Sequence, residues 1–389
     1  MTGREMTTRE MIDTLIGFDT VSAKSNMALI EWVADYLDGH GVASHLIHSD
    51  DKQKANLFAT IGPEEDGGVA LSGHTDVVPV AGQPWDNDPF TVVEKDGKLF
   101  GRGTCDMKSF LAIALAKVPQ MKAAALKKPL HLALSYDEEI GCLGAPRMIE
   151  AINRNLPKPA IVIVGEPTEM KVANAHKGPY AYQTVVTGLE AHSSQPHIAV
   201  NAIHYAARVV SFLEDLADEL AARGDPGSVE FEPPYTTISV TTVDGGTANN
   251  IVPRQCVLGI NVRQLPSTDP DEIPNRLAEY TRTVLEPRMK AIDESTGIET
   301  QRLYFVPPLR KEDDSPAEAL AKYLAETNET TVIAFGTEGG QFQDGGMSTV
   351  ICGPGSILQA HKPNEFIALS EVAAGERFVD RLIAWACKD

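Results

Sequence analysis

Apolar positions change period several times along the chain, and the changes mark out elements before any chemistry is considered. Met27, Ile30, Val33, Ala34 and Leu37 fall at helical spacing, and Gly39 and Gly41 close the run. Short continuous apolar runs at 69–72, 130–136 and 160–164 predict buried strands, with helical stretches at 107–118 and 145–153 between them. Such alternation predicts an α/β fold with a largely parallel sheet. Neighbouring antiparallel strands would make that central sheet mixed.

The rhythm then changes. A strand at 182–187, a helix at 201–220, strands at 236–243 and 256–263, a helix at 273–289 and a strand at 300–305 follow in turn. That βαββαβ order is the ferredoxin-like pattern, and it predicts a compact inserted domain, placed at 179–298. The α/β pattern resumes with a helix from Pro316, strands at 331–335 and 349–352, and a closing helix from Leu369. Residues 1–178 and 299–389 are therefore expected to form one domain around the insertion.

Composition narrows the field. The 389 residues are 43% hydrophobic, which suits a globular chain. Lys and Arg total 34 against 54 Asp and Glu, a net charge of −20, which disfavours nucleic acid or an anionic membrane as partner. Cys105, Cys142, Cys256, Cys352 and Cys387 are dispersed and odd in number, as expected of free thiols in a reducing cytoplasm. The N-terminus lacks the apolar core of a signal peptide, and no segment approaches the ~20 apolar residues of a membrane span.

Five short motifs carry the candidate chemistry: GHTDVVP from Gly73, GRGTCDMK from Gly101, DEE from Asp137, GEPT from Gly165 and QAHKPNEF from Gln359. The first, third and fourth follow predicted strands, at the carboxyl edge where open α/β sheets bind ligands. They supply His74, Asp106, Glu138, Glu139, Glu166 and His361, an inventory suited to two divalent cations sharing a carboxylate, with one acid left to carry protons. Singly each has an ordinary explanation: a loop hydrogen bond for His74 with Asp76, a helix cap for Asp106, a solvated turn for Asp137–Glu139. Their joint occurrence favours the metal site.

On these motifs, with AHKG from Ala175, AHSS from Ala191 and GPGSILQAH from Gly353, the chain resembles the dinuclear zinc family of aminoacylases, glutamate carboxypeptidases and succinyl-diaminopimelate desuccinylases. Within it, the acetylornithine deacetylase branch is the most similar. The resemblance implies a zinc-peptidase-like catalytic domain whose inserted domain serves as lid and dimerisation module. It also implies that His74 and Glu166 bind one zinc, that Glu139 and His361 bind the other, and that Asp106 bridges them before a cis peptide to Met107. Cobalt can substitute for zinc in such a donor set. Asp76 would orient His74, Glu138 would be the general base, and His192 would reach the reacting carbonyl from a partner subunit of a homodimer.

Asn250 and Arg263 match positions that hold the substrate carboxylate, and Gly355 would bring backbone amides to it. Glu338, backed by Asp344, is the acid expected to meet the ammonium of ornithine. No chemical step is assigned to Lys177, and Asn364 stands where the branch more often has Asp. The implied activity is hydrolysis of N2-acetyl-L-ornithine to L-ornithine and acetate, in arginine biosynthesis. Alternatives are a succinyl-diaminopimelate desuccinylase, another N-acyl-amino-acid amidohydrolase, or a non-catalytic ligand-binding relative.

Overall fold

The computed structural model describes residues 4–389, which divide into two compact units. One comprises the chain up to Ala175 with Leu309–Val332 and Thr337–Asp389; the other comprises His176–Pro308 and Ile333–Gly336.

The first unit is built on an eight-stranded mixed sheet. Its strands run Ser44–His48, Ala55–Ile61, Leu130–Ser135, Val69–His74, Ile161–Pro167, Ser348–Gly353, Val172–His176 and Thr330–Ile333 across the sheet. Val69–His74 is parallel to both Leu130–Ser135 and Ile161–Pro167, which in turn is parallel to Ser348–Gly353. Every residue of Val69–His74, Leu130–Ser135 and Ile161–Pro167 is buried. That explains why these strands read as continuous apolar runs and not as alternation. The helix Lys108–Ala116 is itself buried along nearly its whole length, packed with Thr8–Ile16 and Leu369–Ala386 in the core.

The second unit is a four-stranded antiparallel sheet in the order Thr237–Gly245, Gln255–Gln264, Gly178–Thr187, Gly297–Phe305. In Gln255–Gln264 the buried residues are Cys256, Leu258, Ile260, Val262 and Gln264, a period of two that turns one face to the helices. Ala202–Arg223 covers that face with Val209, Leu213, Leu216 and Leu220. The order is that of a ferredoxin-like βαββαβ module. Its last strand begins at Gly297 and the unit runs on to Pro308, so the expected limit of 298 falls within a strand and is corrected.

Among the described residues all five cysteines are free, and no helix is long and apolar enough to cross a membrane.

Candidate active site

Three strand ends and two loops of the first unit converge. His74 is the last residue of Val69–His74, Glu166 lies near the end of Ile161–Pro167, and Glu138 and Glu139 follow Leu130–Ser135. Between Ser135 and that pair, Asp137 takes a left-handed conformation (φ 55°), held by an ion pair with Lys54. Asp106 precedes the helix Lys108–Ala116, and its peptide bond to Met107 is cis, as expected. His361 (φ 64°) sits in the loop between Ser348–Gly353 and Phe366–Ala368. A Cβ on Gly165 would lie 2.1 Å from the Phe110 ring, so glycine is what lets this helix lie against the strand carrying Glu166.

The geometry has two halves around Asp106. His74 Nε2 is 3.1 Å from Asp106 Oδ1 and 3.7 Å from Glu166 Oε1. On the other side, His361 Nε2 is 3.3 Å from Asp106 Oδ2 and 3.0 Å from Glu139 Oε2. One carboxylate thus presents its two oxygens to different imidazoles. Ligand atoms of His74, Glu138 and Glu166 all lie within 4.8 Å of one another, as do those of His74, Asp106 and Glu139.

The tautomer of His74 follows from its surroundings. Nδ1–H donates to the backbone carbonyl of Asp76 at 2.8 Å, which leaves the Nε2 lone pair aimed at carboxylate oxygens. Acceptors facing an acceptor need a proton or a metal cation between them. Charge points the same way. Burial, with the charges of Glu139, Asp106 and Asp76 and against that of His74, pushes Glu138 up to about 8. Burial and Asp106 push Glu139 up to about 7, and burial with Asp106 and Glu138 also raises Glu166. Burial would raise Asp106 too, but hydrogen bonds from His361 and His74 hold it low. So many buried acids around two imidazoles fit two divalent cations with a preference for nitrogen and oxygen donors.

Other expected residues behave differently. The Asp76 carboxylate does not hold His74; its nearer oxygen is 3.7 Å from Nδ1. Instead it accepts the Glu138 amide at 3.1 Å, the Glu139 amide at 3.3 Å and the Ser22 hydroxyl at 2.7 Å. Its backbone carbonyl does the orienting. Glu338 is only 1% exposed and accepts the Ser72 hydroxyl at 2.5 Å, deep behind the strand that ends in His74. Asp344 pairs with Arg310 at the surface and is not behind Glu338. The Gly pair after Glu338 starts a helix, Gly339–Asp344, whose Phe342 is fully buried. Gly355 is left-handed (φ 94°), but its own amide donates to Glu371 at 3.1 Å.

His192, Asn250 and Arg263 belong to the second unit. Ser194 N–H donates to His192 Nδ1 at 3.2 Å, so Nε2 carries the proton and the exposed ring can donate outward. The Asn250 carbonyl accepts the Ser193 amide at 2.9 Å, which sets His192 and Asn250 side by side. Arg263 is half-buried near the end of the central strand Gln255–Gln264. Lys177 donates to the Pro233 and Tyr235 carbonyls at 2.7 and 2.8 Å, pinning the segment before Thr237–Gly245. Two residues escaped the sequence reading. Ser22 lies in no motif, and Glu365 lies within QAHKPNEF, where the histidine drew attention.

The family model for peptidase family M20/M25/M40 matches residues 70–385. The chain is 32% identical to the acetylornithine deacetylase of Myxococcus xanthus over 386 residues, 97% of each chain. In fold it is similar to an M20 family metallo-carboxypeptidase from Sulfolobus solfataricus, with a TM-score of 0.76 and 18% identity over 98% of this chain and 99% of that one. It is also similar to a dinuclear metal-binding peptidase of the M20 family from Bacillus subtilis, with a TM-score of 0.65 and 16% identity over 97% of each.

Proposed function

The chain belongs to peptidase family M20/M25/M40, and from that premise we propose that it hydrolyses the acyl amide of an N-acyl amino acid, N2-acetyl-L-ornithine giving L-ornithine and acetate. That it is a metal-dependent amidohydrolase follows from the family and its relatives. The carrying observation is Asp106 set between two imidazoles, each with its own further carboxylate. Arginine biosynthesis is the corresponding pathway, and the name of the relative matched over 97% of the chain supports the substrate.

His74 and Glu166 would hold one cation and His361 and Glu139 the other, both zinc, with Asp106 shared. Bound there, such cations supply Lewis acidity and lower the pKa of a water to about 7. The chain supplies the proton transfers. Glu138 accepts the Cys142 thiol on Oε1 at 3.3 Å, which leaves Oε2 to take a proton from the attacking water. The same carboxyl, once protonated, can deliver that proton to the departing amide nitrogen. His192, from the partner subunit of a homodimer, would donate through Nε2–H to the oxyanion, while Arg263 and Asn250 take the substrate carboxylate.

The burial of Glu338 favours a second reading. Without that acid at hand for the ornithine ammonium, a broader N-acyl-amino-acid amidohydrolase fits as well. The test is amine release by metal-stripped protein before and after adding zinc or cobalt. N-acetyl-L-ornithine, N-acetyl-L-methionine and N-succinyl-diaminopimelate would be compared. Metal-restored turnover favouring acetylornithine is expected; equal turnover of acetylmethionine supports the broader reading, and none on any substrate overturns both.

A further inference from the structure

The residue that Asp106 depends on is four places beyond His361. Glu365 is 1% exposed, yet it is a carboxylate beside a site already rich in negative charge. Its Oε1 accepts the backbone amides of Gly103, Cys105 and Asp106 at 3.1, 2.8 and 3.0 Å. Its Oε2 pairs with Arg102, also 1% exposed, at 2.5 Å. A single oxygen thus gathers the donors of the segment that ends in Asp106.

The same residue ties that segment to the loop bearing His361. The Glu365 carbonyl accepts the Gly101 amide at 3.0 Å, and the pairing continues as the strand register Phe366 to Phe100 and Ala368 to Lys98. Arg102 closes the circuit. It donates to Gln83 Oε1 at 2.7 Å, and Gln83 donates to the His361 carbonyl at 3.0 Å.

We propose that Glu365 is a positioning residue that fixes the Asp106 and His361 loops in one frame, presetting the bridging carboxylate and the imidazole on its Oδ2 side for the cations; the proposal rests on the dinuclear reading above. Three amides converging on one point determine the backbone of the segment. A charged acceptor makes these bonds stronger than a neutral one would, and Arg102 offsets its charge. Ligand geometry held from outside the ligand set is what commonly sets metal affinity. Glu365 touches no reacting atom.

The variant that tests this is Glu365→Gln. Its amide oxygen can still accept the backbone donors, but its NH2 now faces the Arg102 guanidinium, donor against donor. Zinc or cobalt affinity of metal-stripped protein would be measured by chelator competition, with the visible spectrum of the cobalt form reporting coordination. Affinity is expected to fall about 10–100-fold and the cobalt bands to shift. Leu324→Ala, in the helix Pro316–Ala325, is the control for simple destabilisation, since its side chain is buried in the core. It should lower the melting temperature and leave affinity and spectrum unchanged.

Unchanged affinity and spectrum in Glu365→Gln, or an equal affinity loss in the control, would overturn the proposal. Should Glu365→Gln not fold, Arg102→Gln keeps the amide cradle and removes the counter-charge. A loss of about 10-fold is expected there, and none would count against the frame. A wild-type protein that takes up no cation would instead sink the dinuclear reading itself, a result distinct from either variant's.

Discussion

Asp76→Asn separates two ways in which an aspartate two residues from a metal-binding histidine can act. If its carboxylate oriented His74, the substitution would disturb the imidazole. In the structure the His74 Nδ1–H is held by the Asp76 backbone carbonyl, which the substitution leaves in place. The side chain instead accepts the Glu138 amide on Oδ1 and the Glu139 amide on Oδ2. An asparagine has one acceptor oxygen. Ser22 can turn its hydroxyl to accept from the new NH2, but a backbone N–H cannot reverse. With the oxygen kept on the shorter Glu138 bond, the Glu139 amide faces a donor and is left without an acceptor.

Leaving one such buried donor unmade costs about 1–3 kcal/mol, or about 5–150-fold in a local opening equilibrium. Hydrogen exchange across 136–143 should therefore quicken by that order, while exchange across 69–74 stays as it was. Turnover should fall about 100-fold, because a ligand and a base displaced by ~1 Å lose catalytic alignment. In protein labelled with nitrogen-15 at histidine, the His74 signals should keep the Nδ1–H tautomer. A switch of tautomer without faster exchange in 136–143 would refute this reasoning and restore the carboxylate–imidazole contact.

Glu138→Gln should lower kcat by about 100–10,000-fold with metal content near that of the wild type, checked by steady-state kinetics and metal analysis; a lost metal would make Glu138 a ligand instead. Gly165→Ala drives a methyl into the Phe110 ring and should cost about 3 kcal/mol, lowering the melting temperature by about 6–12 °C. Phe110→Ala should absorb that penalty in the double variant, and simple additivity would contradict the overlap. His131, with Nδ1 on the Thr60 hydroxyl and Nε2 on the Gly67 carbonyl, is held down to about 4 by burial, against an ordinary 6.5. The unfolded chain therefore binds a proton below 6.5 that the folded one refuses until about 4, so stability present above 6.5 is lost as pH falls through that window. The loss at pH 5 is about 2 kcal/mol, and His131→Gln should show a correspondingly smaller drop in melting temperature between pH 7 and pH 5.

The buried parallel strands were legible because both their faces are covered, so their apolar runs end where the sheet ends and the motifs begin. That is why His74, Glu138, Glu139 and Glu166 could be placed at one edge from the sequence alone. Elements with little burial left weaker traces. Ser44–His48 is only partly covered, and Val93–Lys95 and Lys98–Phe100 span three residues each, too few for a period to show. Gly297–Phe305 is polar and largely uncovered, which hid where the second unit's last strand starts. Glu338 was misplaced for a related reason. Nothing periodic in the short stretch after it shows that the buried Phe342 draws Gly339–Asp344 into a helix beneath the sheet.

The contacts that orient the ligands left no periodic trace at all. Each joins side chain to backbone across long separations, as Glu365 does with the amides of Gly103, Cys105 and Asp106, and Asp76 with those of Glu138 and Glu139. A motif can identify residues able to bind a cation, because that depends on atom type. It cannot say which acid binds and which acid only holds the binder, because a carboxylate serves equally well in either place. The distinction comes from what each oxygen faces. Asp106 meets two imidazoles, whereas Asp76 and Glu365 meet backbone amides together with a hydroxyl or a guanidinium. Burial pushes acids of both kinds upward, Glu365 as well as Glu138, Glu139 and Glu166, so what each oxygen faces is what sorts a ligand from the residue that holds it.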